Sequence, residues 1–284
     1  MESKRTRLWL FVLIPLLAFL SASPGWAAPA FEQKGDQWTY RDGDFVLEGI
    51  LLKPEGDGPF PTVVVSHGLG GNAAGFGRMA ARTLVKAGYV CIAANYTHHA
   101  DAIRARRAAA PGGGGAGGRR GAQHPGDYGA SPGNVKRALR CVSILEGLPY
   151  VDKQRIFAYG HSMGGFLTIA LAAEAPEKFR AAAITAGGIS GRAGFSAPTA
   201  DVAAKIRTPF CILHGSADTT VRPEQSAELK TVLDKNKVPN ERHLFEGVGH
   251  NLNHTHAEEC ARLITDWFQK HSGEKPTPTA PAAE

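Results

Sequence analysis

The chain has 284 residues, 43% hydrophobic and 20% charged, which suits one globular domain with a sizeable core. Its formal net charge of +6 invites a nucleic-acid reading, but without residues 1–27 the charge is +4, and the segment 97–126 alone carries +4. What remains is neutral, and a single basic loop on a neutral body argues against a nucleic-acid groove.

Residues 1–27 read as a secretory signal peptide. Lys4, Arg5 and Arg7 form a positive start, Leu8–Leu20 is an apolar run broken by Pro15, and small residues follow, with cleavage near Ala27 or Ala30. This predicts export to the periplasm or the extracellular space. The apolar run is shorter than the ~20 residues of a span, which weighs against an uncleaved anchor and leaves no membrane span after cleavage. The folded domain is expected over residues 31–271, and the proline-containing tail 272–284 is expected to be disordered.

Gln37–Tyr40 and Phe45–Leu52 are strand candidates separated by the turn signal Asp42-Gly43. Thr62–Ser66 is a β-branched run of the kind buried on both faces, and it ends in His67-Gly68-Leu69-Gly70-Gly71. Phe76–Gly88 has helical spacing with a glycine stop, and Tyr89–Asn95 is the next strand. Residues 97–132 then break the rhythm as a Gly/Arg-rich flexible insertion. They hold Arg104, Arg106, Arg107, Arg119 and Arg120 against Asp101, and read as a loop near the mouth of a site that favours anionic substrates or surfaces. His98, His99, Asp101, His124 and Asp127 also lie there, but a glycine run between ligands fixes no geometry, so no metal is expected.

Pro132–Gly147 reads as a helix. Ile156–Tyr159 is a strand that turns through Gly160-His161-Ser162-Met163-Gly164-Gly165 into the helix Phe166–Ala173. The bare Gly-x-Ser-x-Gly pattern is weak; its strand–turn–helix setting gives it meaning, because the turn pushes a serine hydroxyl out of the sheet tip. A Cβ at Gly160 or Gly164 is expected to collide with a neighbouring strand or helix. Phe179–Ala186 and Pro209–Gly215 are further strands, and 187–200 is a Gly/Ala-rich cap or specificity loop. Pro223–Asn236 is a helix, Arg242–Phe245 a strand and His256–His271 a closing amphipathic helix. Such alternation predicts an α/β fold: a mainly parallel sheet, helices on both faces, and an antiparallel N-terminal edge.

Cys91 and Cys211 sit in strand-like runs and Cys141 and Cys260 in helical ones, without metal-ligand spacing. Buried free thiols are expected over a disulfide, although an exported chain is able to oxidise them.

Parallel strands present their C-terminal ends at one functional edge. Ser162, Asp218 and His250 each follow a strand, in that chain order. A serine hydroxyl is a poor nucleophile at its own pKa, so His250 is expected to take its proton, with Asp218 holding the imidazole tautomer. The N–H groups of Leu69 and Met163 are expected to cradle the oxyanion. His67, His161 and His214 read as structural hydrogen-bonders. His254 and His256 compete with His250, and Asp201 and Asp234 compete with Asp218, all from less suitable places. Asn253-His254-Thr255 is a glycosylation sequon, meaningful in a eukaryotic secretory route.

His67-Gly68-Leu69-Gly70-Gly71, Gly160-His161-Ser162-Met163-Gly164-Gly165, His214-Gly215-Ser216-Ala217-Asp218 and Gly249-His250 together resemble the dienelactone-hydrolase-like branch of the α/β-hydrolase superfamily. The resemblance covers about residues 37–270. It implies a cofactor-free serine hydrolase acting on small-molecule esters. Dienelactone hydrolases proper carry a cysteine nucleophile where this chain has Ser162, so the lactone substrate does not carry over and bacterial esterase and polyester-hydrolase relatives are nearer. A prolyl-oligopeptidase-like peptidase shares the order of the three residues and remains an alternative, although such enzymes usually carry a large gating domain. A non-catalytic binding protein on the same fold is the other.

Overall fold

The computed structural model describes residues 30–109, 128–190 and 197–273. The signal peptide, residues 110–127 of the insertion, 191–196 of the Gly/Ala-rich loop and the tail from 274 lie outside the described residues.

The first strands are β1 (Ala30–Lys34), β2 (Gln37–Asp42) and β3 (Phe45–Leu52), joined by tight turns that use Gly35 and Gly43 at positive φ. β4 (Phe60–Ser66) follows, then a π-helical turn (Ala73–Gly77) running into α1 (Arg78–Lys86), and β5 (Val90–Ala94). The insertion opens with α2 (Ala100–Ala109) where the sequence predicts irregular chain. Its Ala/Arg run favours helix, and Asp101 places a negative charge in the first turn. α3 (Pro132–Glu146) starts with Pro132 in its first turn and Ser131 as N-cap, its side chain accepting the Asn134 N–H.

β6 (Val151–His161) leads through Ser162 into α4 (Met163–Glu174), followed by β7 (Ala181–Thr185) and α5 (Ala200–Ala203). The chain continues with β8 (Phe210–Gly215), α6 (Pro223–Lys235) and β9 (Asn240–Phe245), and closes with α7 (Leu252–Thr255) and α8 (Ala257–Lys270).

The nine strands form one sheet in the order β1-β2-β3-β5-β4-β6-β7-β8-β9. β1, β2, β3 and β5 pair antiparallel in turn, and every pairing from β5 to β9 is parallel. Alternate side chains face opposite layers. Val64, Ile92 and Ala158 pack with α3, α4 and α6, through Val142, Leu167 and Leu229. Val63, Val65 and Phe157 face the other way, against Leu84 of α1 and Ile264 and Phe268 of α8. α4 is buried on all sides from Met163 to Ala173, so it is a core helix rather than an amphipathic cover.

The chain leaves β4 for β5 on one side and comes back to β6 on the other. The order of strands therefore reverses at β4, and the C-terminal ends of β4 and β6 open the crevice where ligands bind in such sheets. No helix among the described residues is long and apolar enough to cross a membrane.

Candidate active site

Ser162 sits between β6 and α4 with φ 55 and ψ −118, a positive φ that a side-chain-bearing residue adopts only under constraint. Glycines supply that constraint. A Cβ on Gly160 would lie 2.1 Å from the Gly164 carbonyl oxygen, and one on Gly164 would lie 2.1 Å from the Ser66 carbonyl oxygen. The turn is therefore pressed against β4 and the first turn of α4, and Ser162 is displaced toward the sheet edge. The N-terminus of α4 follows immediately, where free N–H groups and the helix dipole favour negative charge.

Asp218 follows β8. Its Oδ1 accepts the N–H groups of Thr220 and Val221 at 2.8 and 3.0 Å, an arrangement that closes the loop on its own side chain. His250 follows β9. Its loop is tied to the β8 loop by Ala217 N–H to Val248 O at 3.0 Å and Gly247 N–H to Ser216 Oγ at 2.8 Å. Gly215 permits this crossing, because a Cβ there would lie 2.1 Å from the Val248 carbonyl oxygen.

These loops bring three side chains into one hydrogen-bonded row. His250 Nδ1 lies 2.7 Å from Asp218 Oδ2, and His250 Nε2 lies 2.9 Å from Ser162 Oγ. With Nδ1–H donating to the carboxylate, Nε2 is left to accept the serine proton. Burial works to raise the pKa of Asp218. Hydrogen bonds from His214, His250 and the Val221 N–H outweigh it and hold the carboxyl well below the usual range.

His161 packs beside this row, its ring 5.2 Å from that of His250 and stacked at 5.7 Å on Phe76. Its Nδ1 is 3.0 Å from Thr185 Oγ1. Burial, then the neighbouring His250, hold its pKa down to about 3, so it places no competing charge beside the row near neutrality.

The loop after β4 completes the crevice. A Cβ on Gly68 would lie 3.3 Å from Ser162 Cβ, so the loop rests directly on the serine turn. Leu69 projects from it with 47% of its surface exposed. Beside the site, Tyr128, Met163, Phe166 and Val221 form a small apolar cluster of their own, against which Ile103 of α2 packs.

The model of the dienelactone hydrolase family matches residues 47–272. The chain belongs to the dienelactone hydrolase family. No curated protein matches it. Among solved structures it is similar to Pyrococcus horikoshii acylaminoacyl peptidase, at 16% identity and TM-score 0.66, over 89% of this chain and 43% of that one. It is also similar to a Mycobacterium tuberculosis puromycin-hydrolyzing peptidase, at 19% and 0.64, over 87% and 40% respectively. Porphyromonas gingivalis dipeptidyl peptidase 4 matches at 17% and 0.56, over 78% and 34%. The chain thus spans between 34% and 43% of the length of these three structures, and the likeness is one of fold. That fold is the α/β-hydrolase fold, and family and fold together support a serine hydrolase.

Within this dienelactone hydrolase family member, the competing acid and base candidates stand outside the Ser162–His250–Asp218 row, although His254, exposed in α7, lies near enough to His161 for its charge to act on that ring. Asp234 is taken up by Lys230 and Asn240, and Asp201 opens α5. His256 pairs with Thr255 Oγ1 at 2.9 Å. His67, His161 and His214 are all held by hydrogen bonds. The sequon residue Asn253 is buried in α7.

Sequence reasoning misses three things here. One is the convergence of His214 on Asp218. The second is the apolar cluster around Phe166 and Val221. The third is the network behind the loop after β4, where His98 is fully buried. Among the described residues no group of three or more His, Cys, Asp or Glu side chains is placed to hold a metal ion; His124 and Asp127 lie outside them. All four cysteines are buried and unpaired by disulfides, and burial pushes the Cys211 and Cys260 thiols up to about 12.

Proposed function

We propose that this chain is an exported serine hydrolase that cleaves carboxylic esters through an acyl-enzyme. The observation that carries the reading is the unbroken row from Ser162 Oγ through His250 to Asp218, with contacts of 2.9 and 2.7 Å. Ser162 attacks the ester carbonyl while His250 Nε2 takes its proton. The N–H groups of Leu69 and Met163 take the developing oxyanion, a donor of this kind being worth about 3 kcal/mol. His250 then protonates the departing alcohol and afterwards draws a proton from water, which releases the acid and restores Ser162. Asp218 stays ionised throughout and stabilises the imidazolium.

The apolar cluster of Met163, Phe166 and Val221 supports an uncharged acyl or alcohol group lying next to Ser162. No cofactor is called for by this chemistry. Export rests on residues 1–27 and is checked by sequencing the N-terminus of the protein recovered from the periplasm or medium.

Peptide cleavage is the second reading, supported by the peptidases among the similar structures. One experiment separates the readings: turnover of p-nitrophenyl esters from acetyl to palmitoyl beside aminoacyl p-nitroanilides, with Ser162→Ala in parallel. Ester turnover that vanishes in the variant supports the proposal, and the chain-length optimum sizes the acyl site. Anilide turnover without ester turnover transfers the assignment to a peptidase. No turnover and no labelling by a phosphonate probe leave a binding protein.

A further inference from the structure

Behind the loop after β4 lies a buried row of polar side chains that the reaction itself does not use. His98 Nε2 is 3.0 Å from the His67 carbonyl oxygen, which can only accept, so His98 carries its proton on Nε2. Its other nitrogen, Nδ1, faces Asn134 Nδ2 at 3.4 Å and accepts. His67 is fixed in the same way. The Tyr96 N–H donates to His67 Nε2 at 3.2 Å, so Nδ1 carries the proton and donates to the Gly68 carbonyl oxygen at 2.9 Å. The two rings meet edge to face, with centroids 4.8 Å apart.

The main chain of His98 grips the same loop. Its carbonyl accepts the Gly70 N–H at 3.0 Å, and the Ala100 N–H donates to the Gly71 carbonyl at 3.3 Å. Asn134 in turn clamps both ends of the insertion. Its Oδ1 accepts the Thr97 N–H at 3.1 Å, and its Nδ2 donates to the Gly129 carbonyl at 3.1 Å.

The consequence falls on one peptide plane. The Gly68 carbonyl is held by the His67 Nδ1–H and by the Gly71 N–H at 3.1 Å. In a trans peptide the carbonyl and the following N–H point in opposite directions, so anchoring the Gly68 carbonyl aims the Leu69 N–H away from the His67 ring. Gly68 itself rests 3.3 Å from Ser162 Cβ by its would-be Cβ, so this plane borders the nucleophile.

We propose that His98 is a positioning residue for the oxyanion loop: held by Asn134, it fixes His67, and through His67 the Gly68–Leu69 peptide. The inference rests on the reading of the Leu69 N–H as an oxyanion donor. It places the functional weight of the insertion's first residues on the transition state rather than on substrate binding.

The test compares His98→Phe, which keeps the ring and removes the donor, with His98→Gln, whose amide N–H can replace Nε2–H. In H98F, kcat for p-nitrophenyl acetate is expected to fall about 10- to 100-fold with KM within about twofold, the pattern of an interaction made in the transition state. Labelling by a phosphonate, whose oxygen occupies the same hole, is expected to slow in parallel, and H98Q to recover most of the loss. A folded H98F with wild-type kcat, or a loss carried by KM alone, overturns the assignment. Should H98F not fold, isotope-resolved ring-nitrogen NMR on the wild-type protein decides: His98 as the Nε2–H tautomer with His67 as Nδ1–H is expected, and the Nδ1–H form of His98 overturns it. Ser162→Ala run alongside separates the two claims. Turnover surviving in S162A fails the proposed function; a dead S162A beside a fully active H98F fails the His98 assignment alone.

Discussion

His214 Nε2 points at Asp218 Oδ2 from 3.3 Å, the same oxygen that His250 Nδ1 reaches at 2.7 Å. The His214 N–H is shared with the Val221 carbonyl at 2.8 Å, so it braces the carboxylate and its loop together. Replacing His214 by Phe is expected to lower kcat about tenfold and to cost about 1–3 kcal/mol of stability, since both acceptors lose a buried donor. Asp218→Asn is expected to be far more severe. Its Oδ1 continues to cap Thr220 and Val221, but an amide N–H facing His250 Nδ1 forces the wrong tautomer, with a kcat loss of about 10³–10⁴. Steady-state kinetics with thermal melts on both variants check this; a D218N chain within tenfold of wild type would remove Asp218 from the proposed role.

Acid is expected to destabilise the protein from near neutrality downward. Burial is the main cause that holds His67 and His161 near pKa 3, against about 6.5 in an unfolded chain. Between those values the unfolded chain binds the extra protons, so stability rises with pH and is lost as pH falls, by about 1.4 kcal/mol per unit for each histidine. Urea midpoints from pH 7.5 to 4.5 measure the slope. His161→Gln is expected to flatten it by about one proton, and an unchanged slope would exclude His161 as its source.

Gly164→Ala tests the serine turn. Its Cβ would meet the Ser66 carbonyl oxygen at 2.1 Å and the His67 carbonyl oxygen at 2.7 Å, both backbone atoms that cannot swing aside. A loss of about 3 kcal/mol or more is expected, together with loss of ester turnover, because relief requires moving the loop that carries Leu69. A variant that melts with the wild type would contradict the close packing of this turn.

The four cysteines offer a check without mutation. All are buried and free, and burial raises their thiol pKa values. A thiol reagent such as DTNB is expected to leave the native protein unmodified and to titrate all four groups in denaturant. Fewer than four after denaturation without reductant would reveal a disulfide.

Much of this molecule is legible from local pattern. Val63–Val65 in β4 and Phe210–Leu213 in β8 are continuous apolar runs because both faces of the sheet are covered. Ser162 and Asp218 are legible because each follows such a strand, whereas His250 follows the half-buried β9 and is read from the tight Gly249-His250 turn behind it. Where side chains meet water the pattern fades. β1 is almost wholly exposed and escapes notice, and β6 begins at Val151, five residues before its apolar half, because Asp152–Arg155 lie beyond the covered part of the sheet. The partners of His98 are beyond local reading for a different reason. His67 and Asn134 stand 31 and 36 positions away, and the fold alone decides which histidine finds them.

Asn253 has a practical bearing on how this protein is to be made. The residue is 4% exposed, and neither its side-chain oxygen nor its side-chain nitrogen has a hydrogen-bond partner among the described residues. In a eukaryotic secretory host the sequon Asn253-His254-Thr255 is offered to the glycosylation machinery while the chain is still unfolded. A sugar attached to that nitrogen has no room in α7 as folded, so modified chains are expected to be discarded and yield to suffer. Bacterial expression avoids the conflict, as does Thr255→Ala in a yeast or mammalian host, which spares the asparagine and erases the signal.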